Sequence, residues 1–333
     1  MRDPHPYSRL TPDVVLNSIE GVGLRCDGRL LALNSYENRV YQVGIEDASP
    51  VVAKFYRPAR WSEEQILEEH QFAAQLAAAE IPVVAPLSFE NRTLLHAEGF
   101  RFAVFPRRGG RSPELDDANT LEWLGRFIGR IHAVGSAASY RHRPALDIES
   151  FGDEPRTFLL ASGLIPAELV APWKQAADLA LEGVRHAFGR AGKVALLRLH
   201  GDCHAGNVLW TPETGNSKGG PHFVDLDDSR MGPAVQDLWM LISGDRDFMA
   251  QQLGKILRGY EDFAEFDDRE LQLVEALRTL RLIHYSSWLA RRWDDPAFPI
   301  AFPWFNSQRY WQDRILELRE QIAAMQEPAI VPA

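Results

Sequence analysis

The amino-acid sequence predicts an α+β protein with two lobes, a small sheet-rich lobe followed by a larger, mainly helical one. In the first third of the chain, short apolar runs typical of strands flank one long amphipathic helix. Residues 106–110 (PRRGG) then mark the clearest change in the composition of the sequence. Beyond them the apolar residues recur mostly at helical spacing. We therefore expect a first lobe at 1–105 and a second at 106–333.

Composition limits the classes of protein to consider. The 333 residues are 45% hydrophobic and 25% charged, which is ordinary for a globular protein. No window approaches 18 uninterrupted apolar residues and the N-terminus has no apolar signal core, so we expect neither secretion nor a membrane span. Cys26 and Cys203 supply no disulfide framework, which favours the cytoplasm. The net charge of −10 argues against nonspecific binding to nucleic acid or anionic membranes.

The first lobe is predicted from apolar alternation and helix-capping residues. Thr11 and Ser62 each stand where an N-cap would begin a helix. The predicted elements are a helix at 11–19, strands at 30–33, 40–44 and 50–55, a helix at 61–79, and strands at 87–89 and 102–105.

Three side chains of this lobe are candidates for binding a phosphorylated ligand. Ser35 lies in a polar loop (34–39) between two strands, where hydroxyl and backbone donors can face phosphates. Lys54 is a cation within an apolar strand, and Glu69 lies close to the apolar face of the long helix, where it could pair with Lys54. Glu68 is a competing candidate. An ordinary hairpin turn and a solvated lysine are the plainer alternatives.

The stretch 199–237 has the most specific pattern in the chain. After a predicted strand at 194–199, short apolar runs at 208–210 and 222–224 predict two further strands. The polar residues at the tips of these strands are Asp202, Asn207, Asp225 and Asp227.

These residue types suit phosphoryl transfer. A carboxylate is needed to orient and deprotonate a hydroxyl, and Asp202 fits that role. Oxygen ligands are needed for Mg²⁺, and Asn207 with Asp225 fits that role. Asp227 is a candidate for assisting a second ion. In the alternatives, these acids are ordinary turn formers, or His200, Asp202 and His204 form the metal cluster of a hydrolase.

The second lobe contains predicted helices at 121–134 and 167–188 and an aromatic-rich helical region near the C-terminus. In that last region, basic and aromatic side chains recur at spacings of three and four residues. They either line a wall for an acceptor substrate or form the half-buried face of a packed helix. The set is Arg281, Tyr285, Trp288, Arg291 and Arg292.

The motif His200-x-Asp202-x-x-x-x-Asn207 followed by Val224-Asp225-Leu226 resembles the catalytic and metal loops of the aminoglycoside phosphotransferase and choline kinase group, relatives of protein kinases. Gly201 replaces the arginine of the protein kinase H-R-D signature, and Leu226-Asp227 replaces Phe-Gly of D-F-G. Over nearly the whole chain, further blocks are similar to the bacterial stress response kinase A family. They are LNSYENRVY (33–41), KFYRP (54–58), EEHQF (68–72), residues 199–210 and RRW (291–293).

This resemblance implies a two-lobed protein-kinase-like fold and a cytoplasmic, monomeric serine/threonine protein kinase of the stress response that uses ATP and Mg²⁺. It places the proton acceptor on Asp202, the magnesium ligands on Asn207 and Asp225, and an ATP-site serine on Ser35. The segment 211–221 is longer than the corresponding turn in relatives. The expected partner is a protein with a Ser or Thr hydroxyl. The alternatives are a small-molecule kinase for an amino alcohol, sugar or aminoglycoside, a nucleotide-binding pseudokinase, and the metal-dependent hydrolase.

Overall fold

The computed structural model of the chain describes residues 5–213 and 219–333. The chain forms two compact units. One comprises Met1–Pro113, Tyr140–Arg143 and Ala205–Ser229, and the other comprises Glu114–Ser139, Pro144–His204 and Arg230–Ala333. Each unit is therefore assembled from separated stretches of sequence. The predicted division into contiguous lobes at 1–105 and 106–333 stays a prediction.

Strands predominate in the first third of the described chain, and helices predominate in the rest, apart from short strands between residues 197 and 232. The strands are β1 (Cys26–Leu33), β2 (Arg39–Ile45), β3 (Val51–Phe55), β4 (Leu95–Ala97), β5 (Phe100–Pro106), β6 (Leu197–Arg198), β7 (Val208–Thr211), β8 (Gly220–Phe223) and β9 (Met231–Gly232). The helices are α1 (Pro12–Glu20), α2 (Glu63–Ala78), α3 (Ala118–Ser136), α4 (Glu154–Ala161), α5 (Ala167–Ala191), α6 (Gln236–Trp239), α7 (Arg246–Tyr260), α8 (Val274–Ala290), α9 (Ala297–Ala301) and α10 (Gln308–Ala324).

The first unit is built on an antiparallel five-stranded sheet in the order β1-β2-β3-β5-β4. Its helices α1 and α2 begin where capping residues predict. The Thr11 side chain accepts a hydrogen bond from the Val14 amide at the start of α1, and Ser62 forms a capping box with Gln65 at the start of α2. The predicted helices at 11–19 and 61–79 are confirmed.

The strand predicted at 87–89 is wrong. Leu87 donates one backbone hydrogen bond to Val104, but Glu90 and Asn91 have positive φ and turn the chain back on itself. The strand beside β5 is β4 instead, joined to it through Glu98 and Gly99, whose φ angles are 50° and 82°. Two consecutive positive φ values are what a type I′ hairpin turn requires.

Shorter elements carry the polar stretch 199–237. The strand predicted at 194–199 is reduced to β6, which pairs with β9 in the second unit. The two strands predicted at 208–210 and 222–224 are confirmed as the antiparallel hairpin β7–β8 of the first unit. Part of the connecting segment 211–221, predicted to be long, lies outside the described residues.

The second unit is helical apart from the short β6–β9 pair. Its buried interior includes large aromatic side chains from several helices, among them Trp173 of α5 and Trp311 of α10, which meet edge to face. None of the described helices is both long enough and apolar enough to cross a membrane.

Glycines allow α3 and α7 to approach closely. A Cβ atom on Gly125 would lie 2.0 Å from the Ile256 carbonyl oxygen, and one on Gly259 would lie 2.0 Å from the Glu122 carbonyl oxygen. Because the opposing atoms belong to the helix backbone, they cannot move aside as a side chain can.

We therefore expect Gly125→Ala to destabilise the protein by about 1–3 kcal/mol, since the added methyl overpacks the α3–α7 contact. Gly189→Ala is the matched control, because Gly189 lies in α5 with nothing within 4 Å of its Cβ position. Removing that helical glycine should leave stability unchanged or raise it by up to about 1 kcal/mol. Thermal unfolding measures both variants. Equal stability of the two would contradict the packing argument.

Candidate active site

A cavity of about 340 Å³ in the first unit brings together most of the predicted site residues. Its walls come from the loop after β1, the strand β3, helix α2 and the residues on either side of the β7–β8 hairpin. The predicted residues that line it are Ser35, Lys54, Glu69, Asn207 and Asp225.

The β7–β8 hairpin explains why Asn207 and Asp225 are neighbours. Val208 pairs with Phe223 at the open end of the hairpin, and the Val224 amide just beyond it donates to the Asn207 carbonyl at 3.0 Å. Asp225 follows with φ 61° and ψ 63°, the left-handed conformation that few residues other than glycine adopt. Its side chain keeps 53% of its surface exposed.

Lys54 is buried at the wall of the cavity, and its ammonium group faces the carboxylates of Asp225 and Asp227. Its ammonium donates to Asp225 Oδ1 at 2.8 Å and lies 3.1 Å from Asp227 Oδ1. Burial alone would lower the pKa of Lys54, but the fields of Asp225, Asp227 and Glu69 outweigh it and raise that pKa well above its usual value. Lys54 is therefore a permanent cation at the wall of the cavity.

The predicted ion pair between Lys54 and Glu69 is not formed. Glu69 Oε2 instead lies 3.1 Å from Arg143 Nη2, a side chain with no exposed surface. The competing candidate, Glu68, accepts hydrogen bonds from the backbone amides of residues 141–143. Burial raises the pKa of Glu69 to about 7, although Lys54 and Arg143 act in the opposite direction. Glu69 thus lines the cavity and acts on Lys54 only through its field.

Asp227 is buried, with 2% of its surface exposed, and hydrogen-bond donors surround its carboxylate. Asn38 Nδ2 donates to it at 3.2 Å, and Arg60 makes an ion pair with it. Burial would raise its pKa, but Arg60 and Lys54 hold that pKa down at about 2. These partners make Asp227 an anchor for the residues after β8.

Sequence reasoning missed two arginines of this cluster. Arg60 binds Asp227 and Asp228, and Arg143 binds Glu69 and the backbone carbonyls of Asp227 and Ser229. Arg143 lies in a short segment far from α2 in sequence, so no local pattern could reveal it. Arg60 lies two positions after the block KFYRP (54–58). The basic residues of that block were a usable signal that cations cluster in this part of the chain.

Ser35 lines the same cavity from the loop between β1 and β2. Its hydroxyl donates to the Asn38 carbonyl at 3.2 Å and so closes that loop on itself. The loop is thereby linked to the buried cluster, because the Asn38 side chain binds Asp227.

Asp202 belongs to the second unit, five positions before Asn207 in sequence. Its Oδ1 accepts a hydrogen bond from Arg281 Nη1 at 2.6 Å, and its Oδ2 lies 3.5 Å from His204 Nε2. Burial opposes ionisation, but these two partners hold the pKa of Asp202 well below its usual value. The side chain is therefore ionised at neutral pH and can accept hydrogen bonds.

Asp237 fixes the loop that carries Asp202. Its carboxylate accepts from the backbone amides of His200 and Gly201 at 2.7 and 2.8 Å, and it is 3.0 Å from His132 Nε2. His200 is buried, and its Nδ1 accepts from the Asp202 amide at 3.4 Å. Asp237 therefore supports this loop, and His200 packs beneath it.

The chemistry of the donor set fits a hard divalent cation in the first unit. Asn207 and Asp225 offer amide and carboxylate oxygens to the cavity, which are the ligands that Mg²⁺ prefers when phosphate oxygens and waters complete its shell. Among residues 5–213 and 219–333, no group of three or more His, Cys, Asp and Glu side chains could hold a metal ion. The set His200, Asp202 and His204 of the hydrolase alternative therefore forms no such group.

Asp227→Asn tests the anchor by its pH dependence. Because the folded-state pKa of Asp227 is depressed, its stabilising contribution is present above about pH 4 and is lost as the pH falls towards 2. The variant should have a lower Tm at pH 7 and a shallower decline of Tm between pH 4 and pH 2. Asp116→Asn, at an exposed position, is the control and should follow the wild-type curve. Parallel curves for Asp227→Asn and wild type would contradict the role of Asp227.

Comparison with known proteins places this geometry in a family. The model of the phosphotransferase enzyme family matches residues 29–274. Stress response kinase A of Escherichia coli (strain K12) is 47% identical over 324 residues, covering 97% of this chain and 96% of that protein. The serine/threonine protein kinase RdoA of Salmonella typhimurium (strain LT2) is 44% identical over the same shares of both chains.

Solved structures agree on the fold. The amicoumacin kinase hAmiN superposes with a TM-score of 0.71 at 19% identity, covering 96% of this chain and 95% of that one. A microcompartment-associated aminopropanol kinase superposes with a TM-score of 0.66, also at 19% identity, covering 94% and 97%. The chain therefore has the kinase-like fold of this group, and it belongs to the stress response kinase A family within the phosphotransferase enzyme family.

Proposed function

We propose that the protein is a cytoplasmic serine/threonine protein kinase that transfers the γ-phosphoryl group of ATP to a protein hydroxyl. The observation that carries the proposal is the convergence of Lys54, Asn207 and Asp225 on one cavity of about 340 Å³. A permanent cation beside two oxygen ligands suits a metal-bound triphosphate.

The residues of the first unit bind and orient the nucleotide. Lys54 holds the nontransferred phosphates, and Ser35 faces them from its loop. Asn207 and Asp225 would hold Mg²⁺, which when bound offsets the charge of the phosphates. Glu69 contributes a negative field near Lys54 and is itself held by Arg143.

Asp202 acts on the acceptor. It orients the hydroxyl and takes its proton while the hydroxyl oxygen forms a bond to the γ-phosphorus. The bond from that phosphorus to the bridging oxygen breaks, and its electron pair leaves with ADP. The low pKa of Asp202 means that the carboxylate is ionised and available at neutral pH.

The acceptor class separates this proposal from its nearest alternative. The name of the 44% identical relative specifies a serine/threonine protein kinase, and this supports a protein acceptor. The two structural neighbours are kinases of amicoumacin and of aminopropanol, but their 19% identity bears on the fold alone. Incubation with labelled ATP, a generic protein substrate and a panel of amino alcohols, sugars and aminoglycosides distinguishes the two. Label on the protein alone supports the proposal, and label on a metabolite alone contradicts it.

Asp202→Asn removes the proton acceptor and keeps the shape of the side chain. We expect transfer to fall by about 10²- to 10⁴-fold, the usual contribution of a general base. Binding of Mg-ATP, measured by thermal shift, should be largely kept because its ligands lie in the first unit. Asp116→Asn is the control and should keep full activity. Unchanged turnover in Asp202→Asn would remove Asp202 from the mechanism.

A further inference from the structure

A second cavity, of about 450 Å³, lies in the second unit next to Asp202. His204 and Arg281, the two side chains that contact the Asp202 carboxylate, both line it. One wall is a face of α8, on which Arg278, Arg281 and Tyr285 recur at spacings of three and four residues. The cavity is therefore in the place that the hydroxyl-bearing part of an acceptor would occupy.

The basic side chains at this cavity are Arg278, Arg281 and His204. Arg281 and His204 keep 41% and 40% of their side-chain surface exposed, so each can contact a ligand as well as Asp202. Arg278 is bound to Glu275 and lies over the ring of Trp239, which leaves its charge largely neutralised within the protein. Of the described residues that line the cavity, none is acidic.

The remaining walls are apolar or aromatic. Leu282 and Ile242 contribute aliphatic surface, and the Tyr285 ring is stacked on Trp288 with centroids 5.6 Å apart. Such walls suit the body of a peptide side chain. The described cavity wall carries no carboxylate, and the adjacent Asp202 is already paired with Arg281, so no acidic group is left there to bind an amine and the charge pattern disfavours a cationic acceptor.

The contact between Arg281 and Asp202 competes with an acceptor hydroxyl for the Asp202 carboxylate. Arg281 occupies Asp202 Oδ1 at 2.6 Å, the kind of oxygen to which a substrate hydroxyl must donate. A guanidinium released from one carboxylate pairs best with another, because its donors match a carboxylate in a two-point geometry. A substrate that brings its own carboxylate would supply that replacement partner.

We propose that this cavity selects Ser or Thr hydroxyls flanked by Asp or Glu, with Arg281 moving from Asp202 to the acidic flank as Asp202 receives the hydroxyl. This inference rests on the proposed protein kinase function and specifies the acceptor class. Arg281 is thus a specificity-determining residue of the acceptor side, and it also positions Asp202.

The test compares peptides that share a central Ser flanked by Asp, Ala or Lys, with labelled ATP and Mg²⁺ as co-substrates. For the wild type we expect kcat/KM for the acidic peptide to exceed that for the lysine peptide by at least about tenfold, the size of one good charge-assisted contact. In Arg281→Met, the preference should fall close to unity through a higher KM for the acidic peptide. Arg281→Lys, which keeps the charge without the planar fork, should keep part of the preference. Arg319→Met, on the exposed surface of α10, is the control and should behave as wild type.

Binding without nucleotide separates the inference from the proposed function. Fluorescence anisotropy of labelled peptides should show tighter binding of the acidic peptide to wild type than to Arg281→Met. If the acidic peptide binds more tightly in this way but no peptide is phosphorylated, the protein kinase function is overturned, while the selectivity of the cavity for acidic peptides is supported. Transfer to peptides without an acidic preference, or a preference that survives in Arg281→Met, would overturn the inference alone. Thermal unfolding confirms that each variant is folded.

Discussion

Burying the Asp227 carboxylate in the first unit is possible only because Lys54, Arg60 and Asn38 surround it. These partners come from β3, from the segment before α2 and from the loop after β1, so a single anion joins three parts of the unit. An unpaired charge at such a site would cost several kcal/mol, roughly the net stability of many domains. The position of Lys54 beside the exposed Asp225 follows from this constraint. The position of Lys54 at the wall of the cavity therefore depends on the buried charge of Asp227.

In the second unit, the buried carboxylate of Asp237 is stabilised by backbone amides rather than by cationic side chains. Asp237 is fully buried, and it accepts from the amides of His200 and Gly201 and contacts His132. Peptide amides have no freedom to rotate away, so the loop before Asp202 is held at two successive residues. His132 in turn contacts the Tyr260 hydroxyl at 3.0 Å, which extends the support from α3 to α7. The Asp202 loop is thus connected through Asp237 and His132 to the contact between these two helices.

Local sequence predicted the parts of this arrangement whose causes are local. Capping residues marked the starts of α1 and α2, and the apolar runs around Asn207 and Asp225 predicted the β7–β8 hairpin. The failures involve partners distant in sequence. Arg143 lies in a four-residue segment, 140–143, that belongs to the first unit although it is distant from α2 in sequence. The residues near Glu69 therefore gave no indication that Glu69 would pair with Arg143 rather than with Lys54. The strand at 87–89 was misplaced because apolar content does not reveal the backbone turn at Glu90 and Asn91.

The positive φ of Asp225 determines which substitutions can report on its chemistry. Aspartate and asparagine tolerate the left-handed region better than other residues with a side chain, since their short polar groups bond locally. Alanine at this position would remove the carboxylate and also favour a different backbone, displacing Val224 and its bond to Asn207. An alanine variant would therefore confound two losses, whereas asparagine removes the charge within the native conformation. The backbone at residue 225 thus limits the set of side chains with which evolution or an experimenter can alter the proposed nucleotide side of the site.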